Sequence, residues 1–380
     1  MTRWREVKLG DICTSIQYGY TESATFDPVG PKFLRITDIV PNFINWSTVP
    51  YSKIDKKNYE KYKLDVGDIV IARTGATTGY NKRIKDSINA VYASYLIRFK
   101  INKEIADDCF ISYVLKSDSY FGFIDNAIGG SAQPGINARV LSQFSFLLPP
   151  LPEQKAIAEV LSSLDDKIDL LTRQNKTLED LAQAYFRKWF IEDIHNKICY
   201  KRFADVVEFS KGKKPREIIE EQRKGYVRQI LIDTFDTDKE YYTRPEGMII
   251  STETDILMVM DGASSGRVEI GFSGVVGSTI GMFRPKSDFK YPMFLYEFLK
   301  SNEEFIMDNT TGSAIPHADK KLIFELEIPY FQEEKIQEFE NFALVLFNKR
   351  QNNRRQIRTL TKLRDTLLPK LISGEIRVKM

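Results

Sequence analysis

The chain is written twice, and that duplication constrains its fold more than any other feature. Asp68-Ile-Val-Ile-Ala-Arg-Thr-Gly-Ala-Thr-Thr-Gly79 returns as Asp255-Ile-Leu-Met-Val-Met-Asp-Gly-Ala-Ser-Ser-Gly266, Leu115-Lys-Ser117 as Leu299-Lys-Ser301, and Ser131-Ala-Gln-Pro134 as Ser313-Ala-Ile-Pro316. Each copy then runs through a strand-like segment (Phe144 to Leu148; Phe324 to Ile328) into a Gln/Glu/Lys cluster and a long helical pattern. A period of roughly 180 residues is far beyond a solenoid repeat, so the repeated unit is a whole domain followed by a helix. Within each copy the β-branched and aromatic runs at 33–37, 68–72, 90–99, 229–233 and 255–260 predict strands. Asp108 to Asn126 and Pro292 to Asn309 predict helices packed on them. The expected fold class is α+β: two α/β domains, each with a largely antiparallel sheet, in a pseudo-two-fold arrangement and separated by an antiparallel coiled coil of two long helices.

The long helices are the most legible part. Apolar residues fall at Ile157, Leu161, Leu164, Ile168, Leu171, Leu178, Ala182, Tyr185 and Trp189, in steps of four and three, with Asn175 filling the only gap. That is a heptad seam with Leu161, Ile168 and Ala182 at a-type positions. The second copy answers with Ile336, Phe339, Ala343, Leu346, Ile357, Leu360, Leu367 and Leu371, interrupted by Arg350, Asn353 and Arg364. A helix from Glu153 to Phe190 is about 57 Å long at 1.5 Å per residue. A seam of that length needs a partner, and the second helix matches it. Antiparallel pairing of their midpoints predicts Asn175 beside Lys349 or Arg350, a polar contact that fixes register at some cost in stability. The expected boundaries are 1–150 for the first domain, 151–195 for the first helix, 196–330 for the second domain, and 331–380 for the second helix with its tail.

Bulk properties exclude several classes. Three scattered cysteines rule out a disulfide framework, and two histidines without paired cysteines give no zinc motif. No apolar run approaches a membrane span and the first residues carry no signal-like stretch, so a cytoplasmic protein without membrane contact is expected. No Walker sequence, Gly-x-Ser-x-Gly elbow or paired-histidine motif occurs. Glu333-Glu334-Lys335 resembles part of a nuclease cluster, but it stands at a predicted helix start, where acidic residues suit the macrodipole. Net charge is only +3. Its distribution is more telling: basic residues crowd 349–379, 211–216 and 82–85, and clustered positive charge attracts phosphates.

Three pairs of loops recur at matching places and are the candidate DNA contacts. The first pair is Gln17, Tyr18 and Tyr20 against Lys211, Lys213, Lys214 and Arg216. The second is Arg73, Thr74, Thr77, Thr78, Tyr80, Asn81, Lys82 and Arg83 against Ser264, Ser265 and Arg267. The third is Gln133 and Asn137 against Thr311, Ser313 and His317. Glycine in such loops lets backbone approach a phosphate, hydroxyls bond phosphate oxygens, and arginine reads guanine with two hydrogen bonds. The glycine spacing does not fit a nucleotide-binding P-loop.

Pro149-Pro-Leu-Pro-Glu-Gln-Lys-Ala-Ile-Ala158 with its heptad helix, and the tail Leu367-Leu-Pro-Lys-Leu-Ile-Ser-Gly-Glu-Ile-Arg377, resemble the conserved regions of type I restriction-modification specificity subunits. The resemblance covers the whole chain, although the second copy has the sparser Ile328-Pro-Tyr-Phe-Gln-Glu-Glu-Lys335. It implies two target recognition domains, each reading half of a split asymmetric site in double-stranded DNA, with the coiled coil setting the spacer. It further implies two modification (methyltransferase) subunits and restriction/translocase subunits as partners in a prokaryotic cytoplasm. S-adenosylmethionine, ATP and Mg would then belong to those partners, leaving no cofactor and no catalysis on this chain. A protein-interaction scaffold is the alternative from another class; a single-chain nuclease using Glu333 and Lys335 is a third.

Overall fold

The computed structural model describes residues 4–41, 43–129, 135–192, 199–237, 239–312, 314–330 and 333–378. Two compact units emerge, and they cut across the expected boundaries: Met1–Asp169 with Thr359–Met380, and Leu170–Arg358. The reason is packing. Ile157, Ala158, Leu161 and Leu371 are buried in the core of the first unit. Phe186, Phe190, Ile336, Phe339, Ala343 and Phe347 are buried in that of the second. Each domain therefore absorbs the ends of both long helices, and neither helix is a free-standing linker.

The domains share one plan. In the first, Cys13–Tyr18, Leu96–Ile101, Ile69–Ala72 and Asn81–Arg83 lie side by side as an antiparallel sheet. In the second, Val207–Lys211, Ile280–Pro285, Ile256–Val259 and Val268–Ile270 repeat that order. A second sheet, two-stranded in the first domain and four-stranded in the second, contains a parallel pair in each, Lys32–Leu34 with Ala90–Tyr92 and Val227–Ile230 with Gly274–Val276. Several expected elements are broken. The run 90–99 is two strands, and Phe324 lies in the helix Lys320–Glu325 rather than in a strand. The helix expected at 108–126 stops at Val114 and restarts as Asp118–Ile128, because the Ser117 side chain caps the new start by accepting the Tyr120 N–H. Its counterpart breaks at the same place in the repeat, between Pro292–Ser301 and Glu303–Asp308.

The long helices are Leu151–Arg187 (37 residues, continued by a π-helical turn) and Glu333–Ser373 (41 residues). Pro152 is tolerated because it falls in the first turn, where no N–H partner is needed. In each unit the two helices run antiparallel, and every polar interruption of the seam finds a partner. Asn353, fully buried, donates to Gln174 (2.8 Å) and Asn175 (2.9 Å). Arg350 faces Glu179 at 3.4 Å, and Arg364 donates to Asp165 at 3.0 Å. Asn175 thus meets Asn353, about one turn from the expected Lys349 or Arg350, because the helices differ in length and their polar partners, not their midpoints, set the register. Leu161 and Leu171 are buried in the seam, while Leu164, Ile168, Leu178, Leu346, Ile357 and Leu360 are half-buried.

The two segments that carry the family resemblance touch. Glu153, 2% exposed, accepts from Arg377 at 2.8 Å and from the Trp4 indole at 3.2 Å. Gln154, fully buried, donates to Pro149 O (2.8 Å) and accepts the Asp107 N–H (2.8 Å). The Pro-Leu-Pro-Glu-Gln motif is a clasp that closes the first unit. Among the described residues no helix is long and apolar enough to cross a membrane.

Candidate nucleic-acid interface

In the first domain the three sequence-selected segments meet at one end of the strands of the four-stranded sheet. Strand Ile69–Ala72 ends in a tight loop whose glycines, Gly75 (φ 80°) and Gly79 (φ 89°), take backbone conformations closed to other residues. Thr78 locks it by donating its hydroxyl to Gly75 O at 2.7 Å. Thr74 bridges Gly135, and the Ile136 N–H donates to Arg73 O at 2.8 Å. The Arg73 guanidinium lies 4.9 Å over the Tyr18 ring, whose hydroxyl accepts the Ala138 N–H at 3.0 Å. Asn137 caps the short helix Ala138–Leu141. Arg73 makes no ion pair among the described residues, and its buried Nε has no acceptor. It is a cation held in place without a counter-charge.

The second domain builds the same frame. Gly262 (φ 111°) and Gly266 (φ 99°) shape the loop, and the Ser265 hydroxyl donates to Gly262 O at 2.7 Å, as Thr78 does in the first copy. A second acceptor, Pro316 O at 2.9 Å, ties Ser265 to the neighbouring loop. Asp261 bridges His317 just as Thr74 bridges Gly135, and Thr311 and His317 exchange backbone hydrogen bonds of 2.8 and 2.7 Å. The frame is the same, but the side chains differ. Asp261 Oδ1 lies 2.7 Å from His317 Nδ1, and Asp261 Oδ2 lies 2.9 Å from Lys211 Nζ. Partial burial pushes the Asp261 carboxyl up, but the Lys211 and His317 contacts outweigh it and leave the group below the usual carboxylate range.

Several candidates prove to be committed to the fold. Thr78 and Ser265 lock turns, and the buried Asn81 donates to Leu115 O at 2.6 Å. Arg83 pairs with Asp108, and Arg267 with Asp236 and Glu269 at 2.8 Å each. Lys82 donates to Pro41 O at 2.6 Å, and burial pushes its ammonium down to about 8. Gln17 accepts from Arg98, Tyr20 packs on Tyr62, and Lys213 donates to Gly247 O. The basic run 349–379 is largely neutralised too: Arg355 pairs with Glu253, Arg358 with Glu240, Arg364 with Asp165 and Arg377 with Glu153. Such cations are anchored by carboxylates and are poor candidates for free phosphate contacts. Left presented at the loops are Tyr18, Arg73, Thr74, Thr77 and Tyr80 in one domain, and Lys214, Arg216, Ser264 and Thr311 in the other, where Lys211 and His317 are exposed but held by Asp261. Gln133 and Ser313 lie outside the described residues. Asp261, the hub of the second cluster, was missed; its only sequence signal is that it occupies the place of Thr74 in the repeat.

The type I restriction modification DNA specificity domain matches residues 1–180 and 196–353. The MjaIX specificity subunit of a type I restriction enzyme from Methanocaldococcus jannaschii is 27% identical over 349 residues, covering 83% of this chain and 76% of that protein. The HindI specificity subunit from Haemophilus influenzae is 24% identical and covers 99% of this chain and all of its own length. The crystal structure of a type I restriction-modification S subunit from M. genitalium superposes with a TM-score of 0.65 at 19% identity, over 99% of this chain and 96% of that one, a likeness of fold. Two consecutive matches spanning most of its length establish that the chain belongs to the type I restriction-modification DNA specificity family.

Proposed function

We propose that each domain reads one half of a split, asymmetric duplex site through its loop cluster, and that the paired helices fix the spacer between the halves. One observation carries the reading: the same glycine-turned, hydroxyl-locked frame occurs in both domains, displaying Arg73 and Tyr18 in one and Asp261, Lys211 and His317 in the other. A shared frame with unlike side chains suits two unlike half-sites. The chain acts without a catalytic site of its own, in the cytoplasm of a prokaryote. Two modification subunits bring S-adenosylmethionine, and restriction subunits bring ATP and Mg. Genome-wide adenine methylation mapping, in a host carrying the chain and its modification subunit, tests this. A motif with two unlike halves and a fixed gap is expected; absence of any motif beside an active modification subunit would favour the scaffold alternative.

Arg73→Ala is expected to cost about 1–3 kcal/mol, the worth of a two-bonded arginine–guanine contact, and only at the first half-site. Competition binding with duplexes altered in one half at a time checks it, and equal losses on both would refute the assignment. The register of the helices dictates how the spacer is tested. Removing 166–172 from the first helix and 357–363 from the second excises matching segments between the Asp165–Arg364 and Asn175–Asn353 pairs. Seven helical residues span about 10 Å, so the preferred gap should shorten by about three base pairs of 3.4 Å with both half-sites unchanged. An unaltered gap in a folded variant would sink the ruler.

A further inference from the structure

In the second unit Arg202, Arg267, Arg284, Arg350, Arg355 and Arg358 pair with carboxylates, whereas Arg228 and Arg354 share one aromatic ring instead. The ring of Phe272 carries the Arg354 guanidinium at 5.1 Å and the Arg228 guanidinium at 6.0 Å from its centroid. Arg354 donates to Ile270 O at 3.0 Å, and the buried Arg228 Nε has no acceptor. Neither joins an ion pair among the described residues. The adjacent Arg355 and Arg358 do, with Glu253 (2.9 Å) and Glu240 (3.7 Å). Burial first, and then a neighbouring cation (Arg358 beside Arg228, Arg350 beside Arg354), outweighs the pull of Glu240 on Arg228 and of Glu269 and Glu179 on Arg354 and pushes both guanidiniums below the usual arginine range. The close approach of Arg354 to this strand end depends on a glycine: a Cβ on Gly271 would stand 1.8 Å from Gln351 Nε2 and 2.9 Å from Arg354 Nη1. Half-buried cations with no carboxylate in direct contact among the described residues are costly, and a fold that lays two on one ring leaves room for an anion between them.

We propose that Arg228 and Arg354, laid on Phe272, seat one backbone phosphate of the bound duplex, away from the base-reading loops. The inference rests on the DNA-recognition reading above. Two guanidiniums around one phosphate provide the charge-assisted, planar donors that this anion takes best. The position suits a duplex already held at the loops. The seat adjoins the Ile256↔Ile270 end of the strand pair, and the loop Asp261–Gly266 lies at the other end. Five extended residues span about 16 Å, close to five base pairs of rise.

The experiment uses the chain in complex with its modification subunit, with anisotropy titrations of a cognate and a scrambled duplex over a series of salt concentrations. The double variant R228Q/R354Q is expected to weaken both duplexes by a similar factor, about tenfold, and to lower the slope of log Kd against log salt by about one. R202Q, which removes an arginine paired with Asp205, should leave slope and affinity alone. An unchanged slope at unchanged affinity overturns the seat. So does an unchanged slope accompanied by loss of the modification subunit, which would make the anion a carboxylate of that protein. Thermal melting establishes that the double variant is folded; if it is not, R228Q alone is measured against the same outcomes. Should the wild-type complex bind neither duplex, the recognition reading itself fails.

Discussion

Gly19→Ala is expected to wreck the recognition edge of the first domain, and Gly212→Ala that of the second. Neither glycine has a positive φ; the constraint is space. A Cβ on Gly19 would stand 2.2 Å from Ala93 O and 2.5 Å from Tyr92 O, and one on Gly212 would stand 2.1 Å from Gly277 O and 2.5 Å from Val276 O. These are backbone atoms of the strand ends that frame the loop clusters, so no side chain can swing aside. Each glycine also donates its own N–H to the central strand, Gly19 to Leu96 O at 3.1 Å and Gly212 to Ile280 O at 2.9 Å. Relief requires parting the strands, at a cost of about 3–5 kcal/mol. For a unit of this size that is a drop of roughly 6–12 °C in melting temperature. Methylation mapping should then find loss or relaxation of one half of the motif. Gly122→Ala is the control: nothing lies within 4 Å of the added Cβ in that helix, and alanine should be neutral or gain up to about 1 kcal/mol. A Gly19→Ala protein that melts with the wild type would show that the close approach is not a constraint.

That pair of glycines also illustrates what the sequence could and could not convey. The duplication, the mixed fold and the helical seam were legible because periodicity and repetition are properties of the chain itself. Gly19 and Gly212 could be noticed as loop glycines, but their reason lies in carbonyls some 70 residues away. The loop clusters were legible for a similar reason: two copies of one turn, with Thr78 and Ser265 in the same place, marked the segments that converge. Which side chains stay free was not legible. Arg83, Arg267, Arg355 and Arg358 read as phosphate contacts until the fold supplied Asp108, Asp236, Glu253 and Glu240. The helix register failed by about one turn for a related reason. Apolar periodicity fixes which face pairs but hardly the axial offset, which Asn353 and Arg350 decide through Asn175 and Glu179. The end of the first helix was half legible: Tyr185 and Trp189 do meet the second helix at Phe342 and Phe339, while the unremarked Phe186 and Phe190 fill the domain core.

Glu297→Gln is expected to make the second unit more stable than the wild type at alkaline pH. Glu297 is 3% exposed and lines a small cavity with Leu178, Ala182, Tyr296 and Arg350, and its Oε2 has no partner. Burial pushes its carboxyl up to about 8; Arg350 and Lys300 oppose the shift and Glu179 reinforces it, but burial outweighs them all. The folded state therefore keeps a proton that the unfolded chain releases near 4.5. Stability from this group is complete below that lower value and declines as pH rises toward 8, because the folded state binds more protons than the unfolded one throughout the interval. Glutamine is neutral at every pH and removes the decline. The gain near pH 9 should be about 2–4 kcal/mol, vanishing near pH 4.5. Glu340 is the contrast. Burial pushes it up to about 7, yet its oxygens accept the Met293 and Phe294 N–H groups at 3.2 and 3.0 Å, at the start of helix Pro292–Ser301. Removing its charge there gives up charge-assisted bonds as well as a desolvation penalty, so Glu340→Gln should gain much less. Urea unfolding of both variants at acidic and alkaline pH separates the cases. A Glu297→Gln protein whose advantage does not grow with pH would mean that Arg350 keeps the carboxylate charged.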